Sequence, residues 1–167
     1  AQIICERFPS CDKVRFCNSG TEGNINAIGL ARSVTGRSHV LVFVNAYHGG
    51  VLTFSTTSSP MNAPYPFIFA HYNDIDGTRK IIRENADKLA AVIIEPMMGS
   101  AGAIVAEVPF LAMLREETEA NGIALIFDEV MTSRLSPGGL QAKTGITPDL
   151  TSFGKYVGGG LTFGAFG

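Results

Sequence analysis

The chain has no strongly basic stretch. Its 13 lysine and arginine residues face 15 aspartate and glutamate residues, a formal net charge of −2. The electrostatic footprint that would hold a nucleic acid or an anionic membrane is therefore missing. No apolar run approaches the roughly 20 residues that a membrane-spanning helix needs, and the opening residues 1–7 do not read as a signal peptide. These absences point to a small-molecule partner and, by default, to the cytosol. Cysteine is scarce and odd in number. Cys5, Cys11 and Cys17 have neither the paired spacing of zinc sites nor the framework of a secreted disulfide protein, so they read as buried or idle thiols. Internal repeats and low-complexity segments are lacking as well.

What remains is ordinary material for one globular domain: 167 residues, 46% hydrophobic and 17% charged. Short apolar runs alternate with stretches of helical spacing. KVRFC at 13–17, VLVFV at 40–44, AVIIE at 91–95 and IALIFD at 123–128 predict strands, and their unbroken apolar character suits strands covered on both faces. Helices are predicted over 23–35, with Ile25, Ile28, Ala31 and Val34 on one face, over 76–87, and over 109–121, where Phe110, Leu111 and Leu114 fall together. Pro109 opens the last of these and Gly122 lies just past its end. This βα alternation predicts an α/β fold, a mostly parallel sheet with helices on both faces. The Ser, Thr and Pro of residues 55–66 predict a surface loop. Glycines, 19 in all, cluster at 49–50, 138–139 and 158–160, marking tight turns or places where backbone approaches a ligand. The chain opens within what reads as a helix and stops after a glycine-rich strand signal, which suggests an excerpt of a longer protein.

Three features carry chemistry. NSGTE at 18–22 lies between a predicted strand and a predicted helix; free N–H groups at a helix start bind phosphate, with Gly20 allowing close approach and Ser19 and Thr21 offering hydroxyls. A simple N-cap explains the same residues. Asp128 ends an apolar strand and so belongs at the carboxyl edge of the sheet, where open α/β folds bind ligands; a helix cap or an ion-pair partner would also fit there. Lys155 sits among apolar residues and glycines in SFGKYVGGG at 152–160. A lone lysine is usually a solvated charge, but one withdrawn from water becomes a nucleophile toward carbonyls.

A phosphate cradle, a carboxylate and a lysine, in this order, are the three parts that pyridoxal 5′-phosphate (PLP) chemistry requires: one end is anchored, the ring nitrogen is kept protonated, and the carbonyl is bonded covalently. The chain also resembles the class III aminotransferases along nearly its whole length, through NSGTE at 18–22, AYHGG at 46–50, EPMMG at 95–99, FDEVMTSR at 127–134 and FGKYVGGGLTFGAFG at 153–167. The resemblance implies the large, cofactor-binding domain of a fold type I PLP enzyme spanning residues 1–167, without the family's N-terminal segment and C-terminal small domain. It implies that Ser19, Gly20 and Thr21 hold the phosphate, that Tyr47 and Val130 lie against the two ring faces, and that Asp128 meets the ring nitrogen. By the same resemblance Glu95 lies near the ring substituents and Lys155 carries the cofactor as a Schiff base and moves protons. The activity implied is amino transfer from a small-molecule donor to a keto acid acceptor by a homodimer, with this segment alone inactive.

Two branches of the family are similar to the sequence. The β-amino acid aminotransferases of the β-phenylalanine type share YHGGVL, DEVMTSRL and GKYVGGGLTFGAFG, and the glutamate-1-semialdehyde aminomutases share NSGTE, YHG, DEVMT and GK-x-x-GGG. A truncated, non-catalytic PLP-binding chain is a third reading. A dinucleotide-binding fold would need a G-x-G-x-x-G turn, and residues 18–22 contain one glycine.

Overall fold

The computed structural model describes residues 1–56 and 58–167. The elements run α1 (Gln2–Arg7), β1 (Arg15–Cys17), α2 (Gly20–Thr35), β2 (His39–Phe43), β3 (Phe67–Ala70), α3 (Ile75–Glu84) and β4 (Leu89–Ile94). They continue with β5 (Met97–Met98), β6 (Ile104–Val105), α4 (Val108–Ala120), β7 (Ala124–Asp128), α5 (Gly139–Thr144), β8 (Leu150–Phe153) and β9 (Gly164–Phe166). Seven strands form one sheet in the order β1-β9-β8-β7-β4-β2-β3, and β5 pairs with β6 in a separate hairpin. All neighbours in the sheet are parallel except those of β9, which runs against both β1 and β8.

The centre of the sheet follows from its residues. Successive side chains of a strand point to opposite faces, and all six of β4 are buried, so both faces of the sheet are covered there. Helix α2 lies against β4, β7, β8 and β9, while α3 and α4 pack on each other and on β3, β4 and β7. Helix α3 starts at Asp74, whose carboxylate accepts the Gly77 N–H at 3.0 Å. Helix α4 begins at Val108, one residue before the predicted start, with Pro109 in its first turn, and Gly122 follows its end at φ 61°.

The buried stripe of α2 differs from the predicted one. It comprises Gly23, Asn24, Ala27, Ile28 and Ala31, whereas Val34 is 78% exposed. Ile28 and Ala31 lie on the predicted face, whereas a count of large apolar residues passes over Gly23, Asn24 and Ala27, which are small or polar. The predicted loop at 55–66 contains residue 57, which lies outside the described residues; within the rest, Ser58 forms an isolated bridge with Phe54, which precedes the loop. The three cysteines are free thiols, and burial pushes that of Cys11 up to about 11. Among the described residues no helix is long and apolar enough to cross a membrane.

Candidate active site

Parallel strands β4, β7 and β8 deliver their carboxyl ends side by side, with Ile94 opposite Phe127 and Asp128 opposite Ser152. A cleft of about 510 Å³ opens at this edge. Ser19, Gly20, Thr21, Tyr47, Glu95, Asp128, Val130 and Lys155 all line it, so every residue singled out in the sequence reaches one site.

One end of the cleft is the start of α2. The Ser19 hydroxyl accepts the Glu22 N–H at 3.2 Å, and the Gly23 N–H bonds back to the Ser19 carbonyl at 3.0 Å. The N-cap reading of Ser19 is thus realised, and among the described residues the N–H groups of Gly20 and Thr21 are left over. Unbonded N–H groups and the positive end of the helix dipole make this end attractive to an anion. Backbone crowds in closely here. A Cβ on Gly20 would lie 2.7 Å from Val130 and would force it to shift, and one on Gly154 would lie 3.2 Å from Gly20 Cα, a tight contact, so glycine at these positions lets the helix start, Val130 and the lysine loop meet closely.

The other end is acidic. Asp128 is 5% exposed, and its carboxylate accepts from Asn24 Nδ2 at 2.8 Å, from His48 Nδ1 at 2.8 Å and from the Val130 N–H at 3.1 Å. Glu95 is also buried. Its two oxygens accept the N–H groups of Tyr47 and Gly99, each at 3.0 Å, which pins the Tyr47 backbone to the end of β4. Burial raises the Glu95 carboxyl above the ordinary carboxylate range, and the Asp128 charge adds to this, while His48 and the two N–H donors oppose it. Glu129, fully buried next to Asp128, takes the N–H groups of Leu140 and Gln141 and the Thr132 hydroxyl at 2.7–3.0 Å, and so fastens the start of α5 beneath the site. None of these three carboxylates pairs with a lysine or arginine among the described residues.

Tyr47 is 42% exposed over the cleft and Val130 is buried in its wall. Lys155 opens a short 3₁₀ turn (Lys155–Gly158) with φ at 48°, a left-handed conformation uncommon for a residue with a side chain. Sequence context suggests a lysine shielded by apolar neighbours; in the fold the residue is exposed at the open side of the cleft.

Sequence reasoning missed Asn24, His48 and Ser152. All three are buried around Asp128, and Ser152 Oγ donates to Asn24 Oδ1 at 2.6 Å. A signal existed for Asn24, which falls four residues after Gly20 and hence on the same face of α2. His48 stands inside AYHGG, next to the residue that drew attention.

A family model, aminotransferase class-III, matches residues 1–167. The β-phenylalanine transaminase of Variovorax paradoxus is 49% identical over 167 residues, which is 100% of this chain and 38% of that protein. A crystal structure of a β-phenylalanine aminotransferase from the same organism matches with a TM-score of 0.98 at 49% identity, covering 100% of this chain and 39% of that one. A glutamate-1-semialdehyde 2,1-aminomutase of Chlorobaculum parvum is 44% identical over 182 aligned positions, covering 100% of this chain and 42% of that protein. A solved transaminase with PLP bound matches with a TM-score of 0.88 at 30% identity over 99% of this chain and 42% of that one. The chain therefore spans about two fifths of the length of these relatives, and it belongs to the class III aminotransferase family, whose cofactor is pyridoxal 5′-phosphate.

Proposed function

We propose that the complete protein transfers an amino group from a β-amino acid to a keto acid, with PLP held in the cleft described above. One observation carries this reading: among the described residues the cleft has leftover helix N–H groups at one end and, at the other, a buried carboxylate that no lysine or arginine neutralises and that, of basic side chains, only the His48 imidazole faces. Such a site suits a molecule that is anionic at one end and cationic at the other, as PLP with a protonated ring nitrogen is. Ser19, Gly20 and Thr21 would take the phosphate, Tyr47 and Val130 the two faces of the ring, and Asp128 the ring nitrogen. Glu95, by fixing the backbone of Tyr47, would set how that ring stacks. His48 Nε2, buried without a hydrogen-bond partner, adds a polar atom among the cleft-lining residues that a ligand can satisfy.

PLP supplies a carbonyl carbon that exchanges one amine for another and a ring that withdraws electrons from the substrate carbon. The protein's part is to hold and to move protons. Asp128, fixed by its three donors, keeps a negative charge where the ring nitrogen needs to stay cationic. Lys155 is the only amine among the described residues lining the cleft. Its Nζ would bond the cofactor at rest and, once released by the incoming amine, would carry a proton between the substrate carbon and the cofactor carbon to which it had been bonded.

The β-amino acid class is favoured over aminomutase chemistry by the alignments. The Variovorax transaminase aligns over 167 positions, matching this chain's length, whereas the aminomutase alignment extends to 182. We further propose a homodimer, because Leu161 at the cleft and Phe16 on edge strand β1 are 82% and 51% exposed and leave apolar surface for a partner to cover. The test is to assay the complete protein with PLP for amino transfer from β-phenylalanine to a keto acid, and for isomerisation of glutamate 1-semialdehyde, while measuring its mass in solution. Transfer from the β-amino acid by a dimer is expected. Isomerisation alone, or turnover by a monomer, would contradict the proposal.

A further inference from the structure

Among the described residues, Asp128 is surrounded by Asn24, His48, Val130 and Ser152. Asn24 Nδ2 lies 2.8 Å from Asp128 Oδ2 and 2.9 Å from the His48 carbonyl oxygen. Carboxylates and carbonyls only accept, so the NH₂ end of the amide must face them, and both of its protons are used. The amide oxygen is left to accept from Ser152 Oγ at 2.6 Å. Ser152 has a single hydroxyl proton, and the short contact to Asn24 takes it in preference to the 3.4 Å contact with Asp128 Oδ1.

Asp128 Oδ2 thus receives two donors, Asn24 and His48 Nδ1, both at 2.8 Å, which occupies its two lone-pair directions. Oδ1 receives the Val130 N–H at 3.1 Å. One acceptor direction remains on the carboxylate, and it is on Oδ1.

Resting on the PLP reading above, we propose that Asn24, locked by Ser152, is a positioning residue that occupies Oδ2 and reserves Oδ1 of Asp128 for the cationic ring nitrogen. The terminal torsion of an aspartate is soft, so a carboxylate with fewer fixed donors turns and divides its charge between competing contacts. Asn24 stands on α2 one turn beyond Gly20 and Thr21. The helix that would anchor the phosphate therefore also sets the orientation of the acid at the other end of the cofactor. The Ser152 hydroxyl acts at one remove by keeping the amide from flipping.

The test uses the complete protein loaded with PLP labelled with ¹⁵N in the ring, read by solid-state NMR. The ¹⁵N shift reports protonation of the ring nitrogen and the ³¹P shift reports the phosphate end. Asn24→Leu removes both donors at little change in volume, and Ser152→Ala removes only the lock. In the unaltered protein the ring nitrogen should be protonated. Asn24→Leu should move the ¹⁵N resonance toward the unprotonated position and weaken PLP binding about tenfold, the order of one hydrogen bond to a charged group. The ³¹P resonance should stay in place. Ser152→Ala should shift ¹⁵N in the same direction by less, and it carries the test alone if Asn24→Leu does not fold. An unmoved ¹⁵N resonance in the folded variants, even with weaker binding, would overturn the proposal and leave Asn24 as a packing residue. Failure of the unaltered protein to bind PLP would instead overturn the PLP reading and this inference with it.

Discussion

Two buried carboxylates, Glu117 between α3 and α4 and Asp128 at the end of β7, live in opposite electrostatic surroundings. Glu117 is gripped by Arg83 through two contacts at 2.6 and 2.9 Å and is also paired with Arg79 at 3.2 Å. Its pKa is held below the ordinary carboxylate value, chiefly by the Arg83 hydrogen bond. Asp128, Glu95 and Glu129 are equally shielded from water, yet their donors are backbone N–H groups, amides, a hydroxyl and one imidazole. A carboxylate matched by guanidinium is finished within the chain and serves to join two helices. A carboxylate held in place without a strong cation still has charge to offer. The difference separates scaffold from site without reference to any motif, and mutation can break it from either side.

The largest effect is expected at the cleft. Lys155→Ala in the complete protein should lower kcat/KM for amino transfer by about 10³-fold or more, since general acid–base catalysis and covalent attachment are lost together. Its denaturation midpoint should barely change, because the side chain is exposed. Glu117→Ala should do the reverse, costing about 2 kcal/mol of stability in denaturant titration with PLP affinity intact. That is less than for a fully enclosed ion pair, because the Arg83 side chain is 64% exposed. The pH dependence has a definite sign. A lowered native pKa gives Glu117 a stabilising contribution that is complete above the ordinary carboxylate value and is lost as the pH falls through the lowered one. The gap between wild type and Glu117→Ala should therefore narrow in acid.

Glu95 should titrate in the opposite sense. Its raised native pKa means the folded protein holds a proton that the unfolded chain releases, so its contribution is complete below the ordinary carboxylate value and fades as the pH rises through the raised one. Glu95→Gln should flatten that part of the stability profile, an effect of at most about 1.4 kcal/mol per pH unit of the window. Unfolding measured at a series of pH values distinguishes the two glutamates directly; slopes of the same sign would erase the contrast between the regions. The smallest effect concerns the backbone. Because Lys155 has φ at 48°, Lys155→Gly should be more stable than Lys155→Ala by about 1 kcal/mol in thermal or denaturant unfolding.

Much of the site was legible because its chemistry is concentrated in short local segments. NSGTE and DEV each follow a predicted strand, and the chemistry of one PLP molecule, which must touch both of them and Lys155, predicts that the three share one cleft at the sheet edge. The four apolar strands were legible for the same local reason. Strand β8 was not, since LTSF contains Thr151 and Ser152, whose hydroxyls serve buried partners, Gln141 and Asn24, that only the fold brings near. Strand β3 has four residues, three of them half-buried, and follows a Ser- and Pro-rich loop, so neither length nor pattern marks it. Asn24 is the most instructive omission. On a helical wheel it is a polar residue on the wrong face, and its reason for being there, Asp128, is 104 residues away.

The central claim is that PLP sits in this cleft with Lys155 as its covalent anchor. Borohydride reduction of the PLP-loaded complete protein, followed by peptide mapping, tests it most directly, because reduction fixes the cofactor on whichever lysine holds it. The account predicts a label on the peptide containing Lys155 and none once that residue is changed to alanine; a label on Lys143 or Lys13, or no label at all, would contradict it.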